Sequence, residues 1–132
     1  MALLIEKNIS KILGTLDVST LYIRLQSHLK YSGKELSVYT KTYLNKDSYL
    51  SDINNTNILV PEIPSKINFP YDRETDGVDI LLVSHNKFID YLSKDKTIVT
   101  SFIDTSTGEI LYKEDIITPK FCESSEISII DI

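Results

Sequence analysis

The sequence predicts an α+β fold, mainly β, in which hairpins build an antiparallel sheet or sandwich around one main helix at about residues 78–93. Three observations point there. Apolar residues alternate in steps of two through residues 18–26 and 35–44, a second alternating pair flanks a Ser/Thr/Gly turn within residues 97–112, and a single three- and four-residue apolar repeat lies between them.

The opening stretch to Leu16 fits two patterns: Ile5, Ile9, Ile12, Leu13 and Leu16 suit a helical stripe, whereas the β-branched content and Gly14 suit extended chain, which we favour. From Val18 to Gln26, Leu21, Ile23 and Leu25 alternate with Tyr22, Arg24 and Gln26, so the first three are expected in the core. Tyr31-Ser32-Gly33-Lys34 supplies a turn. The strand from Glu35 to Leu44 then returns with Leu36, Val38, Thr40 and Thr42 on one face and Ser37, Tyr39, Lys41 and Tyr43 on the other. Residues 45–57 are rich in Asn, Asp and Ser, which favour loops, with room for a turn of helix around Asp47 to Leu50. Ile58-Leu59-Val60 is expected as a short strand stopped by Pro61. Pro64 and Pro70 predict an extended surface crossing to Tyr71, outside any sheet interior.

Leu81, Leu82, His85, Phe88, Ile89 and Leu92 place one apolar stripe on a helix from about Val78 to Ser93, with Asp76 or Thr75 as its cap. A strand at Val78 to Val83 followed by a shorter helix from Ser84 is the competing pattern, because that run is nearly continuously apolar. Thr97 to Ile103, a turn at Asp104 to Gly108, and Glu109 to Tyr112 form the second hairpin, and Pro119 breaks the chain. The tail from Glu126 to Ile132 is strand-like and costly to expose unless it docks on its own sheet or on a neighbour.

Composition bounds the function. The 132 residues suit a single domain, 1–132, and 42% hydrophobic with 25% charged residues is a globular mixture. A net charge of −5 without a Lys/Arg cluster disfavours direct nucleic-acid binding. No stretch approaches the ~20 apolar residues of a membrane span, and the N-terminal apolar run is too short for a signal core. Cys122 stands alone, so no intramolecular disulfide forms and synthesis in a cytoplasm fits.

Catalytic chemistry finds little support. Nucleophilic catalysis needs a base within reach of the nucleophile; only His28 and His85 could serve, one near a hairpin end and one on the helical stripe, where packed or interfacial roles fit better. Cys122, after Phe121, reads as a small buried hydrophobe. These three residues cannot complete a zinc site, and four scattered glycines form no phosphate loop. Residues 104–109 alternate carboxylate and hydroxyl oxygens, yet a polar hairpin turn explains them without calcium. In residues 71–79, Asp72, Glu74, Asp76 and Asp79 surround Arg73; they suit a capping loop with a local ion pair better than acid–base catalysis. No cofactor and no enzymatic activity are expected.

Tyr22, Tyr39 and Tyr43 fall on the outer face of the first hairpin, where amphipathic rings suit burial against another protein. With Ile129, Ile130 and Ile132 of the tail they are the candidate interface. The pattern of residues 18–94, from Leu21-Tyr22-Ile23-Arg24-Leu25 through the Tyr/Thr strand to Tyr71-Asp72-Arg73-Glu74-Thr75-Asp76-Gly77-Val78-Asp79 and a helix, with the 104–109 hairpin, resembles small β-rich virion proteins of tailed bacteriophages, of the tail, collar or capsid-decoration classes. That resemblance implies a structural particle component, made in the host cytoplasm and located in the virion. Its partners would be other virion proteins and further copies of itself, in heterologous contacts if it forms a ring. The alternative is a small acidic inhibitor or immunity-type protein from a phage or mobile element that binds a host enzyme, steered by its charge.

Overall fold

A computed structural model describes the backbone of residues 1–13, 16–51 and 58–132 and the side chains of residues 1–8, 19–51 and 58–132. In chain order its elements are β1 (Ala2–Leu13), β2 (Leu16–Leu29), β3 (Glu35–Tyr43), α1 (Lys46–Ser51), β4 (Lys66–Pro70), α2 (Arg73–Asp76), α3 (Ile80–Ser93), β5 (Lys96–Ile103), β6 (Ile110–Thr118) and β7 (Ile127–Ile130), with a 3₁₀ turn at Ser124–Glu126. The opening segment is thus strand as far as Leu13. β4, β3, β2, β1 and β7 form one antiparallel sheet in that order, while β5 and β6 pair only with each other.

Register follows from alternation. Leu3 faces Ile23, Ile5 faces Leu21, Leu25 faces Thr40 and Val38 faces Ile67, so one side of the sheet is apolar from edge to edge. α3 covers that inner face with Phe88 and Leu92, both fully buried, and the Phe69, Phe88 and Tyr91 rings meet at centroid separations of 6.0 to 6.4 Å. Phe121, Cys122 and Ile127 close the same core. The tail docks on its own sheet, Leu3 opposite Ile129.

Several expectations change. Residues 58–60 are not a strand: β4 pairs with Glu35–Tyr39 of β3, and past it residues 58–60 make one ladder-like bond, Ile58 N–H to Thr42 O at 2.7 Å, although Val60 is buried. The expected crossing before Tyr71 contains β4, an edge strand whose terminal Pro70 leaves no central ladder bond unmade. Residues 78–83 do not form a strand. Asp79, rather than Asp76 or Thr75, caps α3 by accepting the Leu82 N–H at 3.2 Å, and Asp72 caps the separate short helix α2. Asp76 pairs with Lys87, not with Arg73. The buried stripe of α3 is Val83, Ser84, His85, Phe88 and Leu92, leaving Leu81 and Leu82 partly in water. The expected turn of helix at Asp47 to Leu50 lies within α1, whereas residues 52–57 of the expected loop fall outside the described residues.

His85 is the most constrained polar side chain in this core. Its Nδ1–H donates to Leu81 O at 2.6 Å, and the whole ring is buried. Burial lowers its pKa below the ordinary histidine value. The unfolded chain therefore takes up a proton near pH 6.5 that the folded chain refuses, so acidification favours unfolding. Urea denaturation should show stability falling as pH drops from about 6.5 towards 5, with a slope of up to about 1.4 kcal/mol per pH unit from this group. His85→Gln should remove that slope; an unchanged slope would contradict the assignment.

Candidate interaction surfaces

The chain leaves the core at the end of α3 and returns to it at Phe121, and both exits are clamped. The Lys120 N–H donates to Asp95 Oδ1 at 2.7 Å and the Phe121 N–H to Leu92 O at 2.9 Å. Lys96 Nζ donates to Tyr91 O at 2.7 Å and lies 4.0 Å from the Tyr91 ring centroid. Between these clamps β5 and β6 form an arm paired from Thr97 with Ile116 to Ile103 with Ile110, longer on its return side than the sequence pattern predicts. Local bonds set its tip. Asp104 Oδ1 accepts from Ser106 N and Oγ at 2.9 and 2.7 Å, which holds the carboxyl below its ordinary pKa, and Gly108 takes a positive φ of 72°.

The arm contributes no residue to the core, and every strand residue in it except Lys96 is exposed. Opposed residues share a face, so Val99, Ile103, Ile110, Tyr112 and Ile116 lie together with Glu114 on one side. Each of those five apolar residues is at least 61% exposed. The other side carries Ile98, Phe102 and Leu111 around a Lys113–Asp115 pair at 3.6 Å. A two-stranded ribbon has marginal stability in water, and this one is apolar on both faces.

The candidate interface residues separate into covered and open positions. Tyr22 and Tyr43, each 1% exposed, are buried under Tyr49 of α1, with ring centroids 5.6 and 5.1 Å from it. Their cover comes from within the chain, which corrects the picture of three rings standing outward. Tyr22 Oη also donates to Asp131 Oδ2 at 2.6 Å, and Lys46 Nζ grips the other oxygen at 2.7 Å, so the tail is tied to the outer face. These two bonds, that from Lys46 first, lower the Asp131 pKa. Ile129 packs on the main core and Ile130 on the tyrosine cluster, whereas Ile132 is exposed and Tyr39 is 44% exposed.

Tyr39 lies in a groove of about 560 Å³ on the outer face, with Arg24, Gln26, Lys41, Tyr43 and Tyr49. Arg24 stands directly opposite Lys41, and Lys66 Nζ sits 5.4 Å from the Tyr39 ring centroid. The cationic pair was readable in principle: the 31–34 turn puts Leu29 opposite Leu36, and stepping back along both strands pairs 24 with 41.

Burial pushes the Cys122 thiol up to about 11, far from a reactive thiolate. His28 is exposed and Asp72 and Asp79 are spent on caps. Among the described residues no three His, Cys, Asp or Glu side chains gather to hold a metal, and no helix is long and apolar enough to cross a membrane. Comparison with protein families, with curated proteins and with solved structures finds no match.

Because the arm lies outside the core, Ile103→Thr together with Ile110→Thr should change the unfolding free energy of the dilute chain by less than about 0.5 kcal/mol. Leu21→Ala, in the buried sheet, should cost about 2–5 kcal/mol. Guanidinium denaturation distinguishes the two, and an arm variant as damaging as the core variant would show that the arm supports the fold.

Proposed function

We propose that this chain is a structural subunit of a tailed-bacteriophage particle, of the tail, collar or capsid-associated type, acting through protein–protein assembly rather than catalysis. One observation carries the assembly role: an ordered arm, apolar on both faces and clamped at its base, that the core of its own chain does not cover. Burying such surface is the main favourable term in protein association, and a ribbon open on both faces and both edges suits insertion between neighbours. The placement in a virion rests on the resemblance of residues 18–94 and the 104–109 hairpin. In this reading the protein is made in the host cytoplasm and ends in the particle, among other virion proteins and copies of itself.

The clamp between Asp95 and Lys120 holds the ends of the arm close together, so residues 96–119 can be replaced by a short Gly/Ser link without breaking the core. Mass spectrometry of gradient-purified particles should find the full chain and not the arm-deleted chain, although both are soluble. The proposal falls if the full chain is missing from particles, or if the arm-deleted chain enters them at the normal level. Capture of one host enzyme in stoichiometric amount by a chain missing from particles would indicate the inhibitor class instead.

A further inference from the structure

The outer face of the sheet holds three cations with no carboxylate partner among the described residues. Arg24 and Lys41 are directly opposed in the β2–β3 ladder, and like charges in that position destabilise an antiparallel sheet. Lys66 adds a third cation beside Tyr39. Arg24 stacks on Tyr49 and donates to Met1 O at 3.3 Å, but no carboxylate among the described residues forms an ion pair with any of the three. The groove they border is open and partly aromatic.

The arm has the opposite character. Its more open face presents five apolar side chains around Glu114, which has no cation partner among the described residues, and residues 96–118 carry four carboxylates against two lysines. We propose that the arm of one copy lies across the Arg24–Tyr39–Lys41 groove of a second copy and delivers Glu114 to the opposed cations. The proposal rests on the assembly reading and names its partner.

Three observations select a second copy. The charges are complementary. The arm leaves the core at the end of α3, which packs on the inner side of the sheet, and none of its residues lines the groove on the outer side, so within one chain the two patches stay apart. A nucleic-acid backbone would neutralise the cations but leave the arm's apolar face in water. Since the two patches differ, the contact is heterologous and copies add head to tail, closing a ring or extending a filament.

Sedimentation velocity of the purified chain at low and high salt tests this directly. The wild-type chain should self-associate, more weakly as salt rises, and Glu114→Lys or Lys41→Glu should each weaken association by at least about ten-fold. An equimolar mixture of the two variants should restore it, because the reversed arm of one meets the reversed groove of the other while the unreversed patches meet as before. Lys41→Glu also gives Arg24 a partner and should raise the denaturation midpoint, so its assembly defect cannot be a folding defect. A strictly monomeric wild-type chain, unaltered association in both single variants, or a mixture no better than its components would overturn the proposal. If the arm-deleted chain is lost from particles while both charge-reversed variants enter them normally, the assembly reading stands and this seat for the arm does not.

Discussion

A two-stranded ribbon cannot bury its own faces, and that constraint governs what this molecule can do. The five-stranded sheet satisfies the same requirement internally: α3 covers one face, and α1 and the Asp131 tie cover part of the other. Nothing in that core needs the arm, because the Leu92 carbonyl and the Asp95 carboxylate join the flanks of the arm to the core without it. The ribbon is held at its base by the fold and at its tip by its own turn, and its apolar faces are left for something else. Beyond Glu6 and Thr20 the β1–β2 pair likewise has no third strand among the described residues.

Alternation specified the parts of the fold where it is strict. Leu21, Ile23 and Leu25 opposite the Leu36–Thr42 strand set the central hairpin, the 81–92 repeat set a helix, and the Asp104–Gly108 turn set the arm. What alternation cannot supply is the identity of the covering layer. Tyr22 and Tyr43 occupy the expected outer face, yet α1 buries them, because a short helix after the strand brings Tyr49 down onto both rings. The reverse happened in the arm, where residues 97–103 have the pattern of a half-buried strand and are buried by nothing. A period of two reports which residues share a face, not whether that face is covered.

Other differences are also local contests. Val78–Val83 is apolar enough for a strand, but the Asp79 cap and the spacing of Val83, Phe88 and Leu92 settle it as helix entry and helix. Pro64 and Pro70 bracket β4 without excluding it, since an edge position tolerates what a central strand does not. Arg24 opposite Lys41 is a different case, a pairing that local sheet energetics disfavours and that Tyr49 and the Met1 carbonyl offset on the Arg24 side alone, with no carboxylate among the described residues paired to either cation. Places where a sequence breaks a local rule without internal compensation are where function is expected. Here that place lies on the outer face of the sheet, apart from the arm.

The central claim is that the arm is completed by another chain, and amide hydrogen exchange tests it most directly. In the dilute monomer, amides of β5 and β6 should exchange far faster than those of β2 and β3, whose protection should approach the global stability. On assembly the arm should become protected while the sheet changes little. An arm as strongly protected as β2 in the monomer, or one still unprotected in the assembled state, would contradict the account.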